Sequence, residues 1–116
     1  MKSALTLFDG YKGEVKYGIK NGKCTVEGFV THISEKPSDS HVGVLPYGFR
    51  PPHLIRTVIN TETPVKNANP FDPISRVVAS PRYVDISPDG TIAVDLTFGR
   101  LLLDENIIIG FEYEAI

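Results

Sequence analysis

The chain reads as an all-β domain, an antiparallel β-sandwich or barrel of about nine short strands. Three observations lead there. Apolar and polar residues alternate in several short runs, as half-buried strands require. The dipeptides Asn21-Gly22 and Asp89-Gly90 separate such runs, and both residue types suit the positive φ of tight hairpin turns. No long window places apolar residues at i, i+3, i+4 and i+7, so the helix signal is nearly absent.

The elements follow in order. Leu5-Thr6-Leu7-Phe8 opens as a short strand, and Gly10 to Gly13 read as a turn. Val15 to Lys20 alternates, Asn21-Gly22 turns, and Cys24 to Val30 alternates again, so residues 15–31 form the clearest hairpin. Residues 34–40 are a polar loop. His41 to Leu45 is a short strand, and Leu54 to Asn60 is another, apolar and β-branched. Residues 61–73 read as a long irregular segment of the kind that serves binding or assembly. Ile74 to Ala79 and Arg82 to Ile86 read as two strands broken by Ser80-Pro81. Asp89-Gly90 leads into a strand over Thr91 to Phe98. A loop runs from Gly99 to Asn106, and Ile107 to Tyr113 closes the chain as a strand. Its Ile107-Ile108-Ile109 is apolar on both faces, an aggregation hazard unless buried or covered by a second copy.

Between two of these strands lies Leu45-Pro46-Tyr47-Gly48-Phe49-Arg50-Pro51-Pro52. Three prolines, a glycine, two aromatics and an arginine within eight residues exclude a helix. Such a segment makes a rigid crossing that holds its side chains in fixed directions, which lowers the entropy lost on binding. It either plugs the end of the fold or presents a recognition surface.

With 116 residues the chain is expected to be one domain spanning 1–116, able to bury a real core. Twelve basic and fourteen acidic side chains leave a net charge of −2, which argues against a nucleic-acid partner. No apolar run approaches the ~20 residues that span a bilayer, and no apolar signal-peptide core follows Met1, so synthesis in the cytosol without membrane insertion is expected. No repeat points to a propeller or solenoid.

Catalytic signatures are weak. No serine sits in a nucleophile elbow, no glycine loop suits a phosphate, and no cofactor is expected. Cys24, the single cysteine, reads as a buried small hydrophobe. His32, His41 and His53 are spaced nine and twelve apart, which fits no short zinc motif, so no metal is expected. His32 and His41 flank the polar loop and read as solvated or hydrogen-bonded strand-end residues. Asp85, Asp89 and Asp95 read as strand-surface or turn residues. Tryptophan is absent, so stacking on a sugar would fall to Tyr11, Tyr47, Phe49, Phe71 or Tyr83. Tyr17, Phe29, Phe98, Phe111 and Tyr113 sit at alternating strand positions and read as core or interface. The candidate ligand-binding residues are Tyr47, Arg50 and His53 on the crossing, with Asp39 and His41 beside it.

The order of these segments resembles the head domain of receptor-binding and baseplate tail proteins from phages of Gram-positive bacteria. The resemblance rests on the Asn21-Gly22 hairpin with Cys24 to Val30, then the Leu-Pro-x-Gly-Phe-Arg-Pro crossing at Leu45 to Pro51. Val84 to Val94 with Asp89-Gly90 and the close at Ile109 to Tyr113 complete it, over residues 13–115. It implies a compact β-head that assembles as a homotrimer in the virion, contacts other tail or baseplate proteins, and binds host cell-wall glycan without catalysis. The chain departs from that pattern in lacking tryptophan and any sugar-site signature. A structural tail component with the same fold, used only for protein contacts, is the alternative; a carbohydrate-active enzyme or accessory module is the third reading.

Overall fold

The computed structural model describes residues 2–36, 40–65 and 76–115. Among these the chain forms eight strands and no helix: β1 (Ser3–Ala4), β2 (Tyr11–Lys20), β3 (Lys23–His32), β4 (His41–Val44), β5 (Ile55–Val65), β6 (Arg76–Ile86), β7 (Thr91–Val94) and β8 (Asn106–Glu114). All pair antiparallel in one curled sheet of order β1-β2-β3-β8-β5-β6-β7-β4. The expected all-β antiparallel architecture is therefore present, with eight described strands in place of about nine. The ends of the sheet meet where Leu7 bridges Gly43 and the Phe8 amide donates to Val42 O at 2.9 Å. β5 and β8 share a single registered pair, Glu62 with Asn106, so the sheet has two well-laddered halves joined at a narrow contact.

The β2–β3 hairpin forms at Asn21-Gly22, whose φ values of 55° and 78° are those of a type I′ turn. It is longer than residues 15–31, running from the Tyr11–His32 pair to the Lys20–Lys23 pair. The turn expected over Gly10 to Gly13 ends at Gly10, and Gly13 lies inside β2. Gly13 and Gly28 are close-approach glycines. A Cβ on Gly13 would stand 2.3 Å from Phe29 O, and one on Gly28 2.0 Å from Glu14 O. Glycine marks a turn and a tight ladder equally in sequence, which is why the first was expected.

Other boundaries also move. Leu5 to Phe8 is a strap, not a strand: Leu5 N–H donates to Val15 O at 2.8 Å, and the chain then leaves β2 to reach β4. Thr61 to Val65 extends β5 into the segment expected to be irregular; residues 66–73 lie outside the described set. β6 runs unbroken from Arg76 through Pro81, which pairs with Asn60. Proline is tolerated there because β7 pairs β6 only over Val84 to Ile86, leaving the other flank of Pro81 without a ladder partner among the described residues. β7 stops at Val94, because Asp95 turns the chain by accepting the Thr97 amide at 2.7 Å. β8 alternates strictly, so Ile107 and Ile109 are buried while Ile108 faces outward, 65% exposed.

One apolar core joins both halves: Val15, Cys24, Val26 and Val30 meet Val42, Leu45, Val84, Ile86, Ile92, Val94, Ile107 and Ile109. Cys24 is buried, as its strand position predicts, and burial pushes its thiol pKa up against a smaller lowering by Tyr113. Beside this core lies a charged interior that nothing in the sequence marks. Arg82 grips Glu105 bidentately, Nε to Oε2 at 2.8 Å and Nη2 to Oε1 at 2.9 Å. Thr61 Oγ1 donates to Glu105 Oε2 at 2.8 Å and the Leu102 amide to Oε1 at 3.0 Å. Arg82 also donates to Gly99 O and Arg100 O. Burial would raise the Glu105 pKa, but these donors outweigh it and hold the carboxyl below its ordinary value. The network ties loop 99–105 to the wall. His32 joins it from β3, buried, with Nδ1 3.0 Å from Leu102 O and Nε2 3.2 Å from Lys36 O.

Candidate functional site

The crossing after β4 sits at one end of the curled sheet. Phe49 N–H donates to Pro46 O at 3.2 Å, and Gly48 has φ +89°, so Pro46 to Phe49 is a tight turn with glycine at its positive-φ position. Phe49 turns inward: its ring meets Tyr17 edge-on at 4.7 Å. Its carbonyl accepts from Tyr113 Oη and from Cys24 Sγ at 3.6 Å. The crossing therefore plugs the end of the fold through Phe49, and Tyr11, another candidate stacking residue, is also buried.

The same anchoring pushes Tyr47 outward, 85% exposed. Arg50 lies over its ring, with Cζ 4.0 Å from the centroid, and donates from Nε to Leu45 O at 2.9 Å. The guanidinium is thus oriented by a backbone acceptor and an aromatic face. The hairpin turn between β6 and β7 packs against it. That turn is Pro88-Asp89-Gly90 with Gly90 at φ +90°, and a Cβ on Gly90 would stand 2.4 Å from Leu45 O and 2.9 Å from Arg50 Nε. Asp89 caps the turn by accepting the Thr91 amide at 2.9 Å. That bond, with the Thr91 hydroxyl and the charges of Arg50 and His41, lowers the Asp89 pKa.

Of the predicted site residues, the structure joins Tyr47 and Arg50 in direct contact and sets His41, exposed at the start of β4, within the electrostatic reach of Asp89. Asp89 is a member of the cluster that sequence reasoning treated only as a turn residue. His53 is exposed on the same crossing, just past Pro51-Pro52. Asp39 lies outside the described residues. His32 is buried at the end of β3, and His41 is exposed at the start of β4. Among the described residues no three His, Cys, Asp or Glu side chains gather as a metal site would require.

A second cluster lies on the outer wall of β5, β6 and β7. Arg56 pairs bidentately with Asp85 across the strands, Nε to Oδ1 at 2.7 Å and Nη2 to Oδ2 at 2.8 Å. Nη2 also reaches Asp95 Oδ2 at 3.2 Å. The guanidinium lies 4.6 Å from the Tyr83 ring centroid, and Tyr83 meets Phe98 at 5.0 Å. Hydrogen bonding to Asp85 raises the Arg56 pKa further, and bonds from Thr97 lower that of Asp95. Phe98, expected in the core or an interface, is half-exposed here because the strand ends before it. Phe29, read the same way, is likewise outside the core. It is 57% exposed on the outer face of β3, directly opposite Ile108.

Comparison with known proteins adds no relative to this geometry: no family model matches the chain, and no curated protein or solved structure is significantly similar to it.

Proposed function

We propose that the chain is the head domain of a phage tail or baseplate receptor-binding protein, a module that binds host cell-surface saccharide without catalysis and acts in the virion as a homotrimer. The observation that carries this reading is the Tyr47–Arg50 stack. An aromatic ring 85% exposed, with a guanidinium held against it, is aimed at solvent by a crossing whose backbone is anchored on both sides. Such a pair offers an apolar face to a pyranose ring and donors to its hydroxyls, with little rotamer freedom left to lose. Asp89 and His41 extend the polar rim.

Purified chain titrated with cell-wall polysaccharide is expected to bind, and Tyr47→Ala is expected to weaken binding about tenfold with an unchanged melting temperature, since Tyr47 buries almost nothing. Binding indifferent to Tyr47→Ala would remove the crossing from the reading.

A specific observation also favours the alternative, a structural tail component with the same fold used for protein contacts. Phe29 and Ile108 form an outward apolar pair at the middle of the sheet, where a neighbouring copy or tail protein would cover them. Size-exclusion with light scattering separates the states: three chain masses are expected, and a monomer at all concentrations would sink the trimer.

A further inference from the structure

We propose a second saccharide site on the outer wall, built from Phe98, Tyr83, Arg56, Asp85 and Asp95, which takes an uncharged pyranose through its vicinal hydroxyls. The proposal rests on the wall cluster alone and not on the crossing. Two features of that cluster match what a neutral sugar needs. The first is an aromatic surface. Phe98 is 50% exposed and braced by Tyr83 at 5.0 Å with the ring planes tilted by 42°, so its free face is held in place. A pyranose presents an apolar C–H face of matching size.

The second is a set of planar polar groups that are already oriented. Arg56 is fixed by two bonds to Asp85, a third to Asp95, and the face of Tyr83. Asp95 is fixed by the Thr97 amide on its other oxygen. Adjacent sugar hydroxyls each donate and accept, so they suit an edge where a guanidinium donor and carboxylate acceptors lie side by side. The Arg56 and Asp95 side chains keep 42% and 24% of their surface exposed, so this edge is reachable by a ligand. One cation against two carboxylates gives a local charge of −1, which disfavours an anionic ligand and favours an uncharged one.

An internal ion pair alone would explain Arg56 and Asp85, since cross-strand pairs of opposite charge stabilise sheets. It would not call for Phe98. The chain leaves β7 at Val94, and the Asp95–Thr97 turn then brings a large apolar ring back beside Tyr83 while leaving half of it in water.

Asp95 and Phe98 lie past one end of β7 and the crossing past the other, while Asp85 stands beside Ala93 within it. Four residues of strand separate the two ends, a span of about 13 Å.

The test is amide chemical-shift mapping of the whole chain with methyl α-glucoside, methyl β-galactoside and methyl β-N-acetylglucosaminide at millimolar concentration, repeated with Phe98→Ala and Tyr47→Ala. The expected result is perturbation at Tyr83, Asp95, Thr97 and Phe98 by at least one of the three, weakened about tenfold in Phe98→Ala and unchanged in Tyr47→Ala. An unaltered melting temperature shows that Phe98→Ala still folds. Arg56→Lys, which keeps the charge and loses the bidentate fork, is expected to weaken binding as well. No perturbation of the wall by any of the three sugars overturns the proposal, as does wall perturbation that Phe98→Ala leaves intact. Perturbation confined to the crossing and abolished by Tyr47→Ala overturns the wall site while supporting the crossing, so the two readings fail separately.

Discussion

Glu105→Ala is expected to destabilise the fold by about 3–5 kcal/mol, because it leaves the Arg82 guanidinium buried without its counter-charge. Arg82 is 2% exposed and Glu105 fully buried, so water cannot replace the lost carboxylate without opening the loop that covers it. The Leu102 amide and the Thr61 hydroxyl lose an acceptor in the same step. Urea titration reads the loss directly. A change within about 1 kcal/mol, the range of an exposed pair, would show that the network is solvated. Glu105→Leu combined with Arg82→Met is expected to cost less than Glu105→Ala alone, since no charge is then left unpaired.

The same carboxylate sets an acid limit. Its folded pKa lies below the unfolded value. Its contribution is therefore fully present above the ordinary glutamate pKa and is lost as pH falls through the lowered folded value. Stability measured on descending pH should fall over that acid range in the native chain. In Glu105→Gln, less stable at neutral pH, that part of the slope should vanish. An identical slope in both would place the acid sensitivity elsewhere.

Gly28→Ala is the second large effect. The added Cβ would stand 2.0 Å from Glu14 O and 2.8 Å from Val15 Cα, both backbone atoms of the paired strand. Neither can rotate away as a side chain could. Residue 28 also holds φ +153°, which alanine rarely adopts. Clash and strain act together, and we expect a loss of at least about 3 kcal/mol, seen as a collapsed melting temperature or an insoluble product. Gly48→Ala is the control. Gly48 has φ +89° but no atom within 4 Å of an added Cβ, so only the conformational penalty of about 1 kcal/mol applies. Equal losses at the two positions would mean that close approach between β2 and β3 is not what Gly28 provides.

Legibility in the sequence followed the physics of each segment. The β2–β3 hairpin was readable because Asn21-Gly22 is a local signal and the flanking alternation reports burial directly. The crossing was readable as rigid because proline acts on its own backbone. Which of its aromatics turns inward was not readable, because Phe49 is selected by Tyr17, Cys24 and Tyr113, residues distant in sequence. The reach of β5 was missed for a similar reason. Thr61 and Thr63 look like loop residues until Glu105, 44 positions from Thr61, supplies an acceptor for the Thr61 hydroxyl. Arg56, Asp85 and Asp95 each look like ordinary surface charges, and only the β5–β6–β7 register brings them together on one face with Tyr83. The strand from Thr91 reads as reaching Phe98 because the alternation continues past Val94, where Asp95 ends it.

The position of β8 carries a consequence for how the molecule comes to exist. β8, the last of the described strands, lies between β3 and β5, joining the two halves of the sheet. Nearly all of its registered pairs reach back to β3, so its partners are made early and must wait. A folding chain can close the β2–β3 hairpin, yet it holds an open edge on β3 until Asn106–Glu114 arrives. Completion is therefore governed by a long loop closure and is slow by the standard of locally connected folds. Until then β3 displays an unpaired backbone edge, the window in which a chaperone or a sister chain has the most to bind.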